Sequence, residues 1–419
     1  MRESEAVSRR NFIKGGASVA ALMGLASLTG CATGAAAEGT SDSTIKWDED
    51  AEVLIVGSGY AALAAAIEAH ATGAQVRIID KRDFPGGNSM KADGDFAVCG
   101  SSAQAAQGVK DSIDDYVNDM LVAGLYLNDV EKCRAIAEKS NETWEWVTDL
   151  GVEWVKNDTG NIDLLPYGGH TNYRTMKPVG AGQSIVNALK KKVDELGIEV
   201  ELGKMMTEIY RNDEGRLIGI TIQDKVKNND PTTGKPVNIK VKKALVLATG
   251  GFGGDVTWRM QHDPRLDDSL MSTNREGSTS EALQAAMRAG ALPVHLDWIQ
   301  LGPWCSPDEE SLGSAWTYID SGFPYGPVVA PQTGKRIVNE EPLIQIVDKR
   351  NLPDWAFPFL EPCLEEGCTW EMNSIEEVAE KFQIPLQPLQ EEIARYNTFV
   401  ENKLDEDFDK KIPENALPM

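Results

Sequence analysis

The sequence predicts an α/β protein that begins with a Rossmann-like domain, continues with a small antiparallel β-meander and ends with an α+β cap domain. Three observations support this fold class. The stretch "VLIVGSGYAALAAA" (Val53–Ala66) is typical of a strand, a glycine turn and a helix. Short apolar segments separated by the turn signals "NDEG" and "NNDPTTGKP" predict the meander. After Asp297 the chain becomes rich in Trp, Tyr, Gly and Pro and loses its periodicity, which indicates a second domain.

The elements of the first domain follow from apolar spacing. We expect a strand at Glu52–Val56, a helix at Tyr60–Thr72 and a strand at Gln75–Asp80, which together form one βαβ unit. Apolar residues three and four apart predict helical structure across Ile113–Leu150 and an amphipathic helix at Gly180–Gly197. The segment "KALVLATGG" is apolar and β-branched, as expected of a strand in a buried parallel sheet.

The cap is predicted to contain two helices. "NSIEEVAEKF" begins with a capping box formed by Ser374 and Glu377, and a further helix covers Pro388–Asn402. The predicted boundaries are 48–297 for the first domain and 298–419 for the cap.

Composition limits the function. The chain has 419 residues, a hydrophobic fraction of 42% and a formal net charge of -24. Such length allows two or three domains with a sizeable core, and such acidity argues against nucleic acid as a partner. The four histidines are scattered without metal-ligand spacing, and no CxxC or CxxCH occurs. We therefore expect neither a bound metal nor a c-type haem.

The N-terminus predicts an export signal. "SRRNFIK" (Ser8–Lys14) precedes an apolar stretch at Ala17–Gly30 and resembles a twin-arginine signal. The following "LTGC" resembles a lipoprotein box with Cys31 as the lipidated residue, although a chance cysteine after a cleavable signal is the alternative. Residues 1–31 are thus the predicted signal and 32–47 a flexible tether. The expected location is extracytoplasmic, with a lipid anchor as the link to the membrane.

The glycine turn has the form GxGxxA. Gly57 permits the tight turn, Gly59 allows close approach of a pyrophosphate, and a small residue at the third position lets the helix pack on the strand. Asp80 ends the next strand and can accept hydrogen bonds from a ribose. The predicted dinucleotide contacts here are Gly57, Ser58, Gly59, Ala61, Ala62 and Asp80. This fingerprint alone does not distinguish FAD from NAD.

The loops that follow carry a family resemblance. "GGNSMKADGDF" (Gly86–Phe96) comes directly after the ribose-binding acid, as it does in the flavoprotein family of fumarate reductases and succinate dehydrogenases. Further motifs occur in the family's order: "PVGAG" (Pro178–Gly182), "ATGGFG" (Ala248–Gly253), "STNREG" (Ser272–Gly277) and "GKRIVNEE" (Gly334–Glu341). The sequence is therefore similar to the flavocytochrome c type of fumarate reductase, which implies a GR2-type Rossmann domain that binds FAD.

The resemblance implies further cofactor contacts, with Glu281 standing where the family has an aspartate. They are Lys81, Gly87, Asn88, Ser89, Gly94, Asp95, Gly180, Gly182, Thr207, Ala248, Thr249, Gly250 and Glu281.

The resemblance also implies a reaction. Family members pass a hydride from flavin N5 to an activated C=C bond, and an arginine of the cap supplies a proton to the other carbon. Arg336 matches that arginine, while an ion pair with Glu340 or Glu341 is the structural alternative. Because the sequence has no haem motif, we expect a separate electron donor: a cytochrome, a quinone-linked protein or a flavin carrier.

Departures from the family concern the substrate. Gly302 stands where the family has a substrate-binding histidine, and Asp320 aligns with the family's proton-relay acid. Trp304 and Tyr318 lie nearby and favour a flatter or less charged substrate, although ordinary cap packing explains each aromatic residue equally.

The end of the sequence suggests two further possibilities. The family chain returns from the cap to the flavin domain, and we expect that returning segment to be missing here. The favoured hypothesis is an exported FAD-dependent reductase of an activated C=C bond in a small organic acceptor. Alternatives are a fumarate- or urocanate-type reductase, a ketosteroid-type dehydrogenase, and a truncated FAD-binding lipoprotein without turnover.

Overall fold

The computed structural model describes residues 44–165, 169–301, 325–336, 344–352, 360–367, 369–408, 412–413 and 415–419. The strands are β1 (Glu49–Val56), β2 (Val76–Ile79), β3 (Phe96–Ala97), β4 (Thr175–Met176), β5 (Val200–Glu201), β6 (Lys204–Arg211), β7 (Leu217–Asp224), β8 (Lys235–Leu247), β9 (Val328–Val329) and β10 (Ile344–Gln345). The α-helices are α1 (Tyr60–Ala71), α2 (Ser102–Ala106), α3 (Ile113–Ala123), α4 (Val130–Asp149), α5 (Ala181–Glu195), α6 (Val256–His262), α7 (Glu281–Arg288), α8 (Leu360–Glu366), α9 (Ile375–Phe382) and α10 (Leu386–Asn402). Short 3₁₀ turns occur at Gly87–Met90, Pro231–Thr233 and Lys349–Asn351.

One six-stranded sheet, ordered β5-β2-β1-β8-β7-β6, organises the first domain. β5, β2, β1 and β8 pair in parallel, whereas β7 pairs antiparallel with both β6 and β8. The predicted βαβ unit and the predicted meander therefore belong to the same sheet. β8 joins them, because it pairs with β7 of the meander from Lys235 to Lys240 and with β1 from Ile239 to Leu247.

Alternate residues of β1 serve two different cores. Val53 and Ile55 pack with α1 and α5 on one face of the sheet, where Leu63 is fully buried. Leu54 and Val56 pack on the other face with apolar residues of the meander and of α7. Both faces are covered because side chains alternate along a strand and parallel strands are normally buried on both sides.

The cap is built around α9 and α10. Val329 of β9 packs with Ile384, Leu389 and Ile393, and a second apolar cluster centres on Tyr396. These positions follow the three- and four-residue spacing of α10, as the sequence pattern predicts.

The structure corrects two local predictions. Helical structure across 113–150 is divided into α3 and α4, because Gly124 ends α3 and Asp129 caps α4 by accepting from the amides of its first turn. Leu125 and Tyr126, between the two helices, have left-handed φ angles of 51° and 59°. The capping box of α9 is only half formed: Ser374 accepts from the amide of Glu377, but the Glu377 carboxylate accepts from the amide of residue 373 instead of residue 374.

Among the described residues, none of the helices is long and apolar enough to span a bilayer.

Candidate FAD site

The first glycine turn joins β1 to α1 at a point where a side chain has no room. Gly57 has a φ of 106°, and a Cβ there would lie 2.3 Å from the carbonyl oxygen of Ala248. Gly59 is the N-cap of α1 and supplies no side-chain hydrogen bond to the helix. First-turn amides, including those of Ala61 and Ala62, are the groups that a helix N-terminus offers to an anion.

Asp80 is fixed directly after β2. It is 9% exposed, and its Oδ2 accepts a hydrogen bond from the Ser58 hydroxyl at 2.5 Å. Its Oδ1 accepts from the amide of Arg82 at 2.9 Å, and Ser58 Oγ accepts from the amide of Gly86 at the same distance. A carboxylate has about four acceptor positions, so two remain for the hydroxyl groups of a ribose.

The second glycine loop interlocks with the first turn and with the start of α5. The amide of Tyr60 donates to Ser89 Oγ at 3.2 Å, and the Tyr60 hydroxyl donates to the Ser89 carbonyl at 2.9 Å. A Cβ at Gly94 would lie 2.8 Å from the amide nitrogen of Gly182, and a Cβ at Gly182 would lie 2.2 Å from Tyr60 Oη. Burial raises the pKa of Tyr60 to about 12, so the phenol stays a donor at neutral pH. Three predicted glycine segments therefore meet in space.

The other predicted loop residues lie around the same edge of the sheet. Gly87 begins the 3₁₀ turn at Gly87–Met90, Asp95 directly precedes β3, and Gly180 (φ 83°) directly precedes α5. Thr249 and Gly250 follow β8, whose end lies beside β1 because the amide of residue 248 donates to the carbonyl of residue 56 at 2.9 Å. Ligands of open parallel sheets bind at such a carboxyl edge.

Two residues at this edge, Asn88 and Lys81, form hydrogen bonds with residues 186 to 200 positions later in the chain. Asn88 Nδ2 donates to Asn274 Oδ1 at 2.5 Å, and the amide of Arg275 donates to Asn88 Oδ1 at 2.7 Å. Lys81 Nζ donates to Glu281 Oε2 at 2.9 Å and also contacts the hydroxyl of Thr279. The motifs that the resemblance grouped together are thus neighbours in the fold.

Some predicted residues lie elsewhere. Thr207 is on β6, at the far end of the sheet order and three strands from β1. Its hydroxyl donates to the carbonyl of Thr221 at 3.4 Å, and its own carbonyl accepts from Arg288, so the structure does not bring it together with the glycine loops. The predicted lipidation site and the predicted substrate contacts lie outside the described residues: Cys31, Gly302, Trp304, Tyr318 and Asp320.

Arg336 forms a buried ion pair within the cap. Its Nη1 and Nη2 donate to the two carboxylate oxygens of Asp405 at 3.1 and 2.5 Å, and the two side chains are 5% and 0% exposed. The rings of Tyr396, Phe399 and Phe408 have centroids 4.9 to 5.8 Å from the guanidinium carbon. Burial tends to raise the pKa of Asp405, but the bonds from Arg336 outweigh it and hold that pKa below its usual range. Arg336 is thus held as a charged bidentate partner.

A cleft of about 560 Å³ lies beside this pair. Three basic and three acidic side chains line it together with Pro388 and Phe408: Lys335, Arg336, Arg395, Glu391, Glu392 and Asp407. Arg395 pairs with Asp407 at 2.5 and 2.9 Å. Because the charges nearly balance, the cleft has no marked preference for an anion.

Sequence reasoning missed a second buried arginine behind the cofactor loop. Arg174 is fully buried, donates twice to Asp111 at 2.9 Å and donates to Asp119 at 2.6 Å. It directly precedes β4, which pairs with β3 after the glycine loop, so the network supports that loop from behind. The partners are 63 and 55 residues away, and no local pattern in the sequence indicates the contact.

The parallel sheet, the glycine turn and the acid after β2 define a dinucleotide-binding protein. A family model described as "FAD binding domain" matches residues 52–413, and the chain belongs to this family. The predicted cofactor, FAD, is confirmed, as is membership of a family of FAD-dependent oxidoreductases.

Known relatives agree with this assignment. The chain is 34% identical to the acrylate reductase flavoprotein subunit of Shewanella woodyi over 99% of its own length and 83% of that protein. It is 30% identical to the probable fumarate reductase Ifc3 of Shewanella frigidimarina over 70% of its length, but the match covers only 47% of that relative. Among solved structures, the open conformation of a flavocytochrome c3 fumarate reductase matches with a TM-score of 0.67 and 25% identity, over 89% of this chain and 65% of that one.

Proposed function

We propose that the chain is an FAD-dependent reductase that adds hydrogen across an activated C=C bond of a small unsaturated organic acid. The observation that supports this most directly is the interlocked FAD site in a chain whose whole length aligns with the acrylate reductase flavoprotein subunit. FAD, when bound and reduced, supplies a hydride to one carbon of the acceptor. The residues of the chain bind the cofactor, orient it and limit the access of water.

Each part of the site has a proposed role. Asp80 accepts hydrogen bonds from the adenosine ribose, and the N-terminus of α1 binds the pyrophosphate. The loop from Gly86 to Asp95 covers the diphosphate and the flavin. Lys81 and Glu281 hold the start of α7 against the segment that follows β2 and Asp80, through a 2.9 Å ion pair whose members are 16% and 28% exposed.

The proton donor is a separate question. Arg336 remains the predicted donor from the family resemblance, but its geometry argues for a structural role. Both Nη atoms donate to one buried carboxylate, and three aromatic rings surround the guanidinium, which is the arrangement of a structural ion pair. If Arg336 does donate, Asp405 is the nearest base through which the pair would exchange protons.

The substrate class is inferred from relatives. Acrylate, fumarate and urocanate reductases are among them, and each of these names denotes an unsaturated carboxylic acid. A ketosteroid-type dehydrogenase is the second candidate, because a 3-ketosteroid-Δ4-(5α)-dehydrogenase shares the fold with a TM-score of 0.66, although at 22% identity.

The 419 residues contain no CxxCH, which favours electrons from a separate cytochrome, quinone-linked protein or flavin carrier.

Location is proposed from the N-terminal sequence. The twin-arginine pattern and Cys31 support export and lipid anchoring outside the cytoplasm. Cell fractionation of the protein and of a Cys31→Ala variant tests both: the wild type should sediment with membranes, and the variant should be released in soluble form. Retention of the variant in the membrane fraction would remove Cys31 as the anchor.

A matched pair of glycine variants tests the cofactor site. Gly57→Ala places a Cβ 2.3 Å from a carbonyl, whereas Gly73→Ala, also at a left-handed φ (82°), has nothing within 4 Å. Both variants carry the backbone strain of about 1 kcal/mol, but only the first blocks the turn. We expect purified Gly57→Ala to retain less than about a tenth of the wild-type FAD, with Gly73→Ala unchanged. Equal FAD content in the two variants would contradict the assigned turn.

An acceptor screen tests the reaction. Chemically reduced protein should be reoxidised under anaerobic conditions by acrylate, fumarate or urocanate, followed by flavin absorbance. Faster reoxidation by a steroid enone would favour the second candidate. A chain that holds FAD but reacts with none of these acceptors would support the alternative of a binding protein without turnover.

A further inference from the structure

Two arginines lie over the ring of Phe84, beside the loops of the FAD site. The guanidinium carbons of Arg82 and Arg275 are 5.3 and 5.2 Å from the centroid of that ring. The backbone amide of Arg82 donates to Asp80 Oδ1 at 2.9 Å, and that of Arg275 donates to Asn88 Oδ1 at 2.7 Å. Both arginines are therefore fixed, through their backbones, to residues of the proposed ribose and diphosphate contacts.

Both guanidinium groups have hydrogen-bonding capacity left. The Nε atoms of Arg82 and Arg275 are buried, and neither has a hydrogen-bond partner in the part of the chain that the structure describes. Arg82 forms a 3.1 Å ion pair with Glu276, whose side chain is 82% exposed. Arg275 forms no ion pair with any described carboxylate. Because a buried donor without an acceptor is unfavourable, the two side chains have the chemistry of an anion site.

The charge of the chain makes such cations necessary for an anionic ligand. The formal net charge of -24 opposes the approach of a diphosphate. Lys81 also lies at this edge, but Glu281 already pairs with it at 2.9 Å. Arg275 has no such partner among the described residues, so its charge is available to a ligand.

We propose that Arg275, together with Arg82, binds the diphosphate of FAD by charge-assisted hydrogen bonds, in addition to the amides at the N-terminus of α1. The fork of an arginine matches the oxygen atoms of a phosphate, and such bonds are stronger than bonds between neutral groups. Phe84 supplies the apolar surface against which both guanidinium groups are held. The inference rests on the role proposed above for the loop from Gly86 to Asp95, which contains Asn88.

The turn that carries Arg275 is held in place by other contacts. A Cβ at Gly277 would lie 2.9 Å from Arg82 Cδ, so the stem of Arg82 packs directly against this turn. Asn88 Nδ2 donates to Asn274 Oδ1 at 2.5 Å. The side chain of Arg275 takes part in neither contact, so its replacement should leave the turn and the stability of the fold unchanged.

Release of FAD from the intact holoprotein tests the site. After dilution, the release rate is followed by the fluorescence of free FAD at low and at high salt. Arg275→Gln should release FAD at least about tenfold faster than the wild type at low salt, because a charged bond to phosphate is lost. Salt should accelerate release less in this variant than in the wild type, since screening acts on charge. Arg134→Gln removes an exposed arginine of α4 and should release FAD as the wild type does. Equal rates for all three proteins would overturn the proposal.

A second substitution separates charge from shape. Arg275→Lys keeps the charge, so it should give an intermediate release rate with the salt dependence of the wild type, and it keeps the test open if the glutamine variant does not fold. Release from Arg275→Lys that is fast and independent of salt would exclude the charge contact.

Inorganic phosphate tests the other source of the same chemistry. Titrated into the holoprotein and followed by calorimetry, it should not bind, because the diphosphate of FAD holds the site. Phosphate binding that Arg275→Gln abolishes would assign the arginines to a free phosphate and overturn the proposal.

The Gly57→Ala variant separates this inference from the proposed function. Loss of FAD from Gly57→Ala, together with wild-type release from Arg275→Gln, would reject the arginine contact alone. Normal FAD content in Gly57→Ala, together with faster release from Arg275→Gln, would reject the assigned glycine turn and support the arginine contact.

Discussion

Arg174 of the flavin domain and Arg336 of the cap are both buried, but their charges are satisfied in different ways. In the flavin domain Arg174 lies between two aspartates, Asp111 and Asp119, with the ring of Tyr116 4.6 Å from its guanidinium carbon. The three charged side chains are 0 to 7% exposed. In the cap Arg336 has one closely bonded carboxylate, Asp405, and a ring of aromatic side chains, and an open cleft lies next to it. The Arg174 side chain lies between two carboxylates and is closed off from water. The Arg336 side chain has one bidentate carboxylate, Asp405, with that of Asp407 at 3.9 Å, and it lines a cleft.

This contrast separates an arginine that can only support the fold, Arg174, from one that could take part in chemistry, Arg336. A sealed network leaves no room for a ligand and can act only by holding the loops around it. A pair beside a cleft has room for a ligand on one side, although here both of its side chains are buried. Residue type does not distinguish the two cases, since both are buried arginines in bidentate contact with a carboxylate.

The largest loss of stability is expected for Arg174→Gln. Two buried carboxylates would lose their cation, and removing one member of a buried ion pair costs about 3–5 kcal/mol. We expect the free energy of unfolding, measured by urea titration, to fall by about 4 kcal/mol. Arg134→Gln on α4 is the control, because its pair with Asp114 is 46% and 84% exposed and should contribute less than about 1 kcal/mol. Similar losses in the two variants would mean that the Arg174 network is not the support described.

A smaller loss of about 3 kcal/mol is expected for Arg336→Gln, which strands only one carboxylate. The double variant Arg336→Met with Asp405→Leu should recover most of that stability, because apolar replacement of a whole buried pair is often neutral. Activity then distinguishes the roles. A structural arginine predicts that the stable double variant still reduces the acceptor, whereas a proton donor predicts a stable protein with normal FAD and no turnover.

The smallest loss of stability, about 2 kcal/mol at pH 7, is expected for Asp405→Asn. The amide oxygen of asparagine can still accept one hydrogen bond from Arg336, so the loss is close to the 1.5–3 kcal/mol, roughly, of one hydrogen bond to a charged group. The pKa of Asp405 is held below its usual range in the folded chain. A carboxyl group with a lowered folded pKa stabilises above its unfolded pKa of about 3.9, and that stability is lost as pH falls through the folded value. The stability difference between wild type and variant should therefore be constant near neutrality and shrink below about pH 4. A difference that persists unchanged in acid would show that packing, and not charge, accounts for the loss.

Local patterns predicted much of the flavin domain. The turn at Gly57, the helix after it and the acid at residue 80 are neighbours in sequence, so their geometry follows from short-range sterics and periodicity. The antiparallel meander was also predictable from its turns. The pattern of "KALVLATGG" also predicts a strand in a buried parallel sheet, but it does not identify β1 as the partner, because that pairing joins strands about 190 residues apart.

Long-range electrostatic contacts were not predictable. Arg174 lies 63 and 55 residues from Asp111 and Asp119, and Arg336 pairs with Asp405 across 69 residues. The alternative partners of Arg336, Glu340 and Glu341, lie outside the described residues. The neighbouring motifs at Asn88 and Asn274 were grouped by resemblance to a family and not by periodicity. The sequence alone does not show which charged residues, distant along the chain, come close enough to pair in a site closed to water.

The contact between Asn88 and Asn274 has a consequence for timing during synthesis. The two residues are 186 positions apart, and a ribosome adds about 5–20 residues per second, so the first partner waits about 10 to 40 s for the second to be made. Throughout that interval the glycine loop has its turn but not its closing contact. We therefore expect FAD to be captured firmly only after the segment around Asn274 has left the ribosome.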